Sequence, residues 1–241
     1  MNILKKIYCR IFQTCFRIAL PVLPYREPEL IDGFKHVPEV LKKHISHILL
    51  VTDPGVYKLG LTKPLEKQLL KSEISCTIYK DTVANPTSAN IEEAKDLYLA
   101  HGCQALLAFG GGSSMDCAKA VGARLARPNK PLAKMEGILK IWHKLPLLIA
   151  VPTTAGTGSE VTPYAILTNH EKQTKKSIAS PCLFPTYALL DAKYTKNLGL
   201  ATTVNTAIDS LSHSVEGMMS KRANIMADVI AKEAVKIIAS T

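Results

Sequence analysis

The chain has 241 residues, 47% of them hydrophobic and 21% charged, a balance that excludes intrinsic disorder and suffices for a sizeable core. Its formal charge of +10 is dispersed, with KQTKK at 172–176 the densest patch and no aromatic residues interleaved with basic ones. That distribution argues against nucleic-acid recognition and for a general bias toward small anions. Six cysteines without C-x-x-C spacing exclude zinc ribbons and redox pairs, and read as reduced thiols of a cytoplasmic protein.

In chain order, the first segment is MNILKKIYCRIFQTCFRIALPVLPY, in which Arg10 and Arg17 interrupt any signal-peptide core. Apolar residues at Ile3/Leu4, Ile7/Tyr8, Ile11/Phe12, Cys15/Phe16 and Ala19/Leu20 have helical spacing. The pattern predicts an amphipathic helix over 1–25 that docks on the body of the protein; a helix lying on a membrane surface is the competing reading. No stretch is long and apolar enough to cross a bilayer.

From residue 45 strand and helix signals alternate. HISHILLVTDPG reads as a buried strand and turn, LTKPLEKQLLKSE as a helix, and ISCTIYKD as a strand. SANIEEAKDLYLAHG follows as a helix with Ser88 as cap and Gly102 as stop, then CQALLAFGGG as a strand and Ser113 to about Leu125 as a helix. LPLLIAVP, PYAILTN and TYALLDA are further strands. Alternation of this kind predicts an α/β fold, a Rossmann-like parallel sheet covered on both faces. Beyond Asp191 only helices are predicted, so the expected domains are an α/β unit over 26–194 and the start of an all-helical unit over 195–241. The chain ends in or just after a helix with no terminal cap, which suggests a fragment.

Two loops carry the chemistry. Gly110–Gly112 end a buried strand and Ser113 opens a helix, so unsatisfied backbone N–H groups and the positive dipole end face that turn. A phosphate is stabilised there, although the spacing is neither G-x-G-x-x-G nor a Walker lysine motif. PTTAGTGSE at 152–160 is a second such loop, with hydroxyls at Thr153, Thr154, Thr157 and Ser159. Together they fit a ligand with two polar regions, a dinucleotide or a nucleoside diphosphate. Asp53, at the end of the first clear strand, reads either as an acceptor for ribose hydroxyls or as an ordinary Asp-Pro-Gly turn. On AIDSLSHSVEG, Asp209 and His213 stand four apart on one helical face, a spacing that suits one divalent metal or a surface hydrogen bond. Glu216 lies nearby.

The succession VTD, NPT, GGGSSMDCAKA, PTTAGTGSE, LLDA and DSLSHSVEG resembles the iron-containing (metal-dependent, type III) alcohol dehydrogenase family, over about Arg26 to the last residue. The resemblance implies an α/β domain that binds NAD(P), a helical domain that carries the metal, and an active site between them. Asp53 then looks like the ribose-binding aspartate that favours NAD over NADP. Gly111, Gly112 and Ser113 look like the pyrophosphate cradle, with Thr153, Thr154 and Thr157 around the phosphates and nicotinamide ribose and Ser159 close to the ring. Lys175 resembles a cofactor-contacting lysine, with Lys176 leaving the register open by one. Asp209 and His213 resemble two of four ligands to Fe²⁺ or Zn²⁺, the other two being histidines farther along, past Thr241. Ala207, Ser210 and Gly199 depart from the family pattern. The implied substrate is a small alcohol or aldehyde, the assembly a homodimer if any. The alternative is a catalytically inactive nucleotide-binding fragment.

Overall fold

The structure, a computed structural model, describes residues 3, 7, 8, 10, 11, 14, 15, 18, 26–41, 45–169, 174–196, 198–220 and 223–240. The eight described residues before Arg26 are helical and exposed, so the docking contact expected of the N-terminal helix lies outside the described residues. Nine strands are described: β1 (Glu29–Ile31), β2 (His47–Val51), β3 (Ser75–Tyr79), β4 (Ala105–Gly110), β5 (Gly137–Ile138), β6 (Leu147–Pro152), β7 (Tyr164–Asn169), β8 (Thr174–Ala179) and β9 (Tyr187–Leu189). The helices are α1 (Val37–Leu41), α2 (Pro54–Lys58), α3 (Lys63–Lys71), α4 (Ser88–Ala100), α5 (Gly112–Ala126), α6 (Leu200–Met219) and α7 (Ile225–Ala239).

Six strands form one parallel sheet in the order β1-β9-β6-β4-β2-β3. Successive side chains of a strand point to opposite faces, and both faces are dry. On one side lie Leu49, Val51, Leu106, Ala108, Leu148 and Ala150, under α4 and α5. On the other lie Ile48, Leu50, Leu107, Phe109, Ile149 and Val151, with Leu65 and Leu69 of α3. Burial on both faces explains why these strands read as continuous apolar runs.

Local chemistry fixes the helix starts. Asp53 caps α2 and Pro54 opens it, a residue whose missing N–H costs nothing at that position. For α4 the cap is Thr87, not Ser88. Thr87 is extended, its hydroxyl accepts from the Asn90 amide at 3.2 Å, and Asn90 Oδ1 accepts from the Thr87 amide at 3.3 Å. Ser88 already belongs to the helix. Gly102 follows the helix end with a φ of 61°, as a stop requires.

Two features depart from the sequence reading. β7 does not join the main sheet; it pairs antiparallel with β8, and β5 completes this second sheet. Of the two, β8 was not anticipated, because the first four residues of TKKSIA are polar and three of them, Thr174, Lys175 and Ser177, stand exposed. After β9 no strand occurs among the described residues, and α6 and α7 pack as a pair.

Candidate functional site

The chain passes from β3 on one side of β2 to β4 on the other, so the crevice at the carboxyl ends of β2 and β4 is a topological switch point, where ligands of open α/β sheets gather. Asp53 and the Gly110–Gly112 turn leave those strand ends. Asp53 Oδ1 accepts the Gly55 and Val56 amides at 2.9 and 3.0 Å, so the turn reading is realised. Its Oδ2 accepts from the Ser114 hydroxyl at 3.4 Å and faces the glycine turn. One carboxylate oxygen thus builds the turn and the other remains weakly engaged.

No side chain caps α5, whose start at Gly112 presents bare amides. Ser113 Oγ accepts from the Asn85 amide at 3.1 Å, which brings the NPT segment to the rim. The Thr153 amide donates to Gly110 O at 3.0 Å and ties the two loops together. Thr157 sits over Gly112. Thr154 lies against Gly111, and its buried hydroxyl has no partner among the described residues. An orphaned hydroxyl beside an uncapped helix start fits a phosphate oxygen, so the loops suit a dinucleotide.

Beneath the second loop lies a polar cluster. Lys119 of α5 is fully buried and donates to Ser159 Oγ at 2.9 Å, Thr162 O at 2.9 Å and Tyr164 O at 2.8 Å. The Ser159 hydroxyl donates onward to Asp116 Oδ1 at 2.7 Å, while Asp116 Oδ2 accepts the Ile166 amide at 3.0 Å. Ser159 is therefore saturated within the protein, with both its proton and a lone pair committed. Burial pushes the Asp116 and Glu160 carboxyls up. Burial also pulls Lys119 down to about 8, against the attraction of Asp116 and Glu160.

A cleft of about 870 Å³, the size of a small-molecule site, gathers some of these parts, while Asp53, Gly111, Thr153 and Thr154 are not in its lining. Gly112, Ser113, Thr157 and Ser159 form one wall, with Asn85, Asp116 and Tyr164 beside them. Lys175 of β8 also lines it, whereas Lys176, the next residue on the strand, pairs with Glu136 at 3.3 Å. Strand alternation thus puts Lys175 alone in the cleft. Opposite stand Asp209 and His213 of α6, with Ile230 and Ala234 of α7 behind. Asp209 Oδ1 and His213 Nε2 are 3.9 Å apart and half exposed, close enough to share an ion. Carboxylate and imidazole are donors suited to Fe²⁺ or Zn²⁺. No cluster of three metal-binding side chains occurs among the described residues, and Glu216 is exposed and does not line the cleft.

Sequence reasoning missed Asn85, Asp116 and Lys119 as parts of this site. The signal for the last was present: a lone lysine between Cys117-Ala118 and Ala120-Val121, with only Asp116 one turn before it, sits in an otherwise apolar stretch of its helix.

A family model for iron-containing alcohol dehydrogenases matches residues 31–192. The choline dehydrogenase of Bacillus subtilis is 34% identical over 209 residues, covering 86% of this chain and 52% of that protein. The NAD-dependent methanol dehydrogenase of Bacillus methanolicus is 30% identical over 190 residues, covering 79% and 50%. Among solved structures, a 1,3-propanediol oxidoreductase superposes with a TM-score of 0.85 at 31% identity, covering 90% of this chain and 58% of that one. A sulfoacetaldehyde reductase from Bifidobacterium kashiwanohense in complex with NAD⁺ gives 0.80 at 28%, with the same coverage. The chain spans about half the length of the curated relatives it matches. A parallel sheet of this order, two glycine-hydroxyl loops at its switch point and the match over 31–192 agree: the chain belongs to the iron-containing alcohol dehydrogenase family.

Proposed function

We propose that this chain binds NAD(H) across its two loops and takes part in metal-assisted hydride transfer between a small alcohol or aldehyde and the nicotinamide. One observation carries the reading. The uncapped start of α5, the second loop, Lys175, Asp209 and His213 all face one cleft.

The diphosphate is held by the amides at Gly112 and Ser113, with Gly111 leaving room and the Thr153, Thr154 and Thr157 side of the rim supplying hydroxyls. Asp53 presents Oδ2 to the adenosine ribose, where a carboxylate accepts from two hydroxyls and repels a 2′-phosphate. Lys175 adds a positive charge to the cleft, and Ser159 shapes the wall from within its cluster rather than by a free hydroxyl. Asp209 and His213 would supply two of the ligands to Fe²⁺ or Zn²⁺. The cation supplies a Lewis acid for the substrate oxygen. The hydride chemistry belongs to the coenzyme. Ile230, Ala231 and Ala234 of α7 give that side of the cleft an apolar lining.

Titration calorimetry with the purified chain tests the coenzyme choice. NADH binds, and NADPH binds at least about tenfold more weakly, the cost of placing a phosphate dianion against Asp53. In Asp53→Ser, which keeps a capping hydroxyl, that gap narrows to less than about threefold. Equal affinity for both coenzymes in the wild type would remove Asp53 from this role.

A further inference from the structure

Lys119 is the one fully buried cation of the α/β unit among the described residues, and nothing in the reading above uses it. Its ammonium has three N–H groups. Three oxygens surround it at hydrogen-bond distance, Ser159 Oγ, Thr162 O and Tyr164 O, with Thr162 Oγ1 more distant at 3.3 Å. Donors and acceptors therefore match one to one only while the amine is charged. All of these oxygens lie on the segment that leaves the second loop. That segment turns at Gly158, which is left-handed (φ 62°), makes a single 3-10 turn over Ser159–Val161, and enters β7. No side chain caps the turn, and its sole buried residue, Ser159, is held by Lys119 together with Asp116. On the far side of Gly158, Thr157 leans over Gly112 and accepts from the Ser159 amide at 3.3 Å. A rigid path thus runs from Lys119 through Ser159 to Thr157 and the start of α5.

We propose that Lys119 is a positioning residue whose ammonium pins the 158–164 segment to α5, and that its protonation sets how well the second loop is ordered for coenzyme. This rests on the reading that the loop binds NAD(H). A neutral amine offers two N–H groups and turns a lone pair toward an oxygen, which loosens the segment. The charged groups around it are Asp116 on α5, which shares Ser159, and Glu160 on the turn; both favour the ammonium, and burial opposes it. Deprotonation is therefore half complete in the folded chain near pH 8, below the ordinary lysine range. The sign separates this local effect from unfolding. Between about pH 8 and 10.5 the unfolded chain binds the extra proton, so this group's contribution to global stability rises with pH while loop order falls.

Two readouts test the proposal from pH 7 to pH 9.5 on the whole chain: hydrogen exchange corrected for the intrinsic pH dependence, and NADH affinity by fluorescence titration. In the wild type, amides of 157–164 lose protection above pH 8 while those of β4 and β6 keep theirs, and NADH affinity falls about tenfold. Lys119→Met shows the loosened loop and weakened binding already at pH 7, with a flat profile, and Lys119→Arg retains part of the pH 7 affinity. If Lys119→Met does not fold, the wild-type profile alone decides. Constant protection of 157–164 in the wild type, or a Lys119→Met profile that tracks the wild type, overturns the proposal. Should the wild type bind no NADH yet show the exchange profile, the coenzyme reading fails and the role of Lys119 stands.

Discussion

Gly112→Asp abolishes NADH binding, raising the dissociation constant more than about 100-fold, while the chain stays folded. Two effects contribute and their sizes differ. A Cβ at Gly112 would stand 2.8 Å from Thr157 Cγ2 and 3.2 Å from its Cβ and Oγ1, so the loop must give way. Overpacking of this kind costs about 1–3 kcal/mol. A carboxylate there also faces the diphosphate, and two unit charges at about 4 Å in a partly screened site repel by about 4 kcal/mol. Gly112→Ala carries only the first cost and separates the two: its affinity falls about tenfold, that of Asp much further. Stability also falls, but by less than the overpacking alone would take, since an acid in the first turn favours the helix by about 0.3–1 kcal/mol. Fluorescence titration and thermal unfolding of both variants check the ordering. Unchanged NADH affinity in Gly112→Asp removes the phosphate from this turn.

Gly156→Val is expected to damage the cleft from the other side. Gly156 meets α6 so closely that a Cβ would lie 2.5 Å from Thr206 O and 3.0 Å from its carbonyl carbon. Backbone cannot rotate aside as a side chain can, so either the loop or α6 must shift. Asp209 and His213 stand on the following turns of α6 and face the loop across the cleft. The substitution therefore separates the ion-binding pair from the coenzyme wall as a unit. We expect a loss of about 3 kcal/mol or more in stability, read as a fall in the unfolding midpoint, together with weakened binding of both divalent metal and NADH. Gly156→Ala follows in the same direction and less far. A midpoint equal to that of the wild type would mean that α6 does not depend on this contact.

The parts of the fold and site legible in sequence share a physical cause. Five of the six main-sheet strands were readable, best where burial on both faces demands uninterrupted apolar runs such as Ala105–Phe109 and Leu147–Val151. β1, three residues at the sheet edge with Glu29 and Leu30 exposed, was missed. The two loops were readable because glycines and small hydroxyl residues crowd the ends of those runs. β8 escaped because Thr174, Lys175, Lys176 and Ser177 form an unbroken polar run, which resembles a loop, before Ile178 and Ala179 turn inward. Spacing could not separate Lys175 from Lys176; the strand sends them to opposite faces, Lys175 to the cleft and Lys176 to Glu136. The cap of α4 was misplaced by one residue because Thr87 and Ser88 are both competent caps, and only the reciprocal bond with Asn90 selects between them. Ser159 shows the deeper limit. Its residue type suited a ligand contact, but its hydroxyl is committed to Lys119 and Asp116, 40 and 43 residues earlier in the chain. Long-range pairing of this sort has no local pattern.

A crystal structure of the chain grown with saturating NADH and a divalent cation tests the central claim most directly. The account predicts the diphosphate at hydrogen-bond distance from the Gly112 and Ser113 amides and the Thr154 hydroxyl, with the nicotinamide end directed toward Asp209 and His213. Coenzyme bound elsewhere, or both loops empty at saturation, would contradict it.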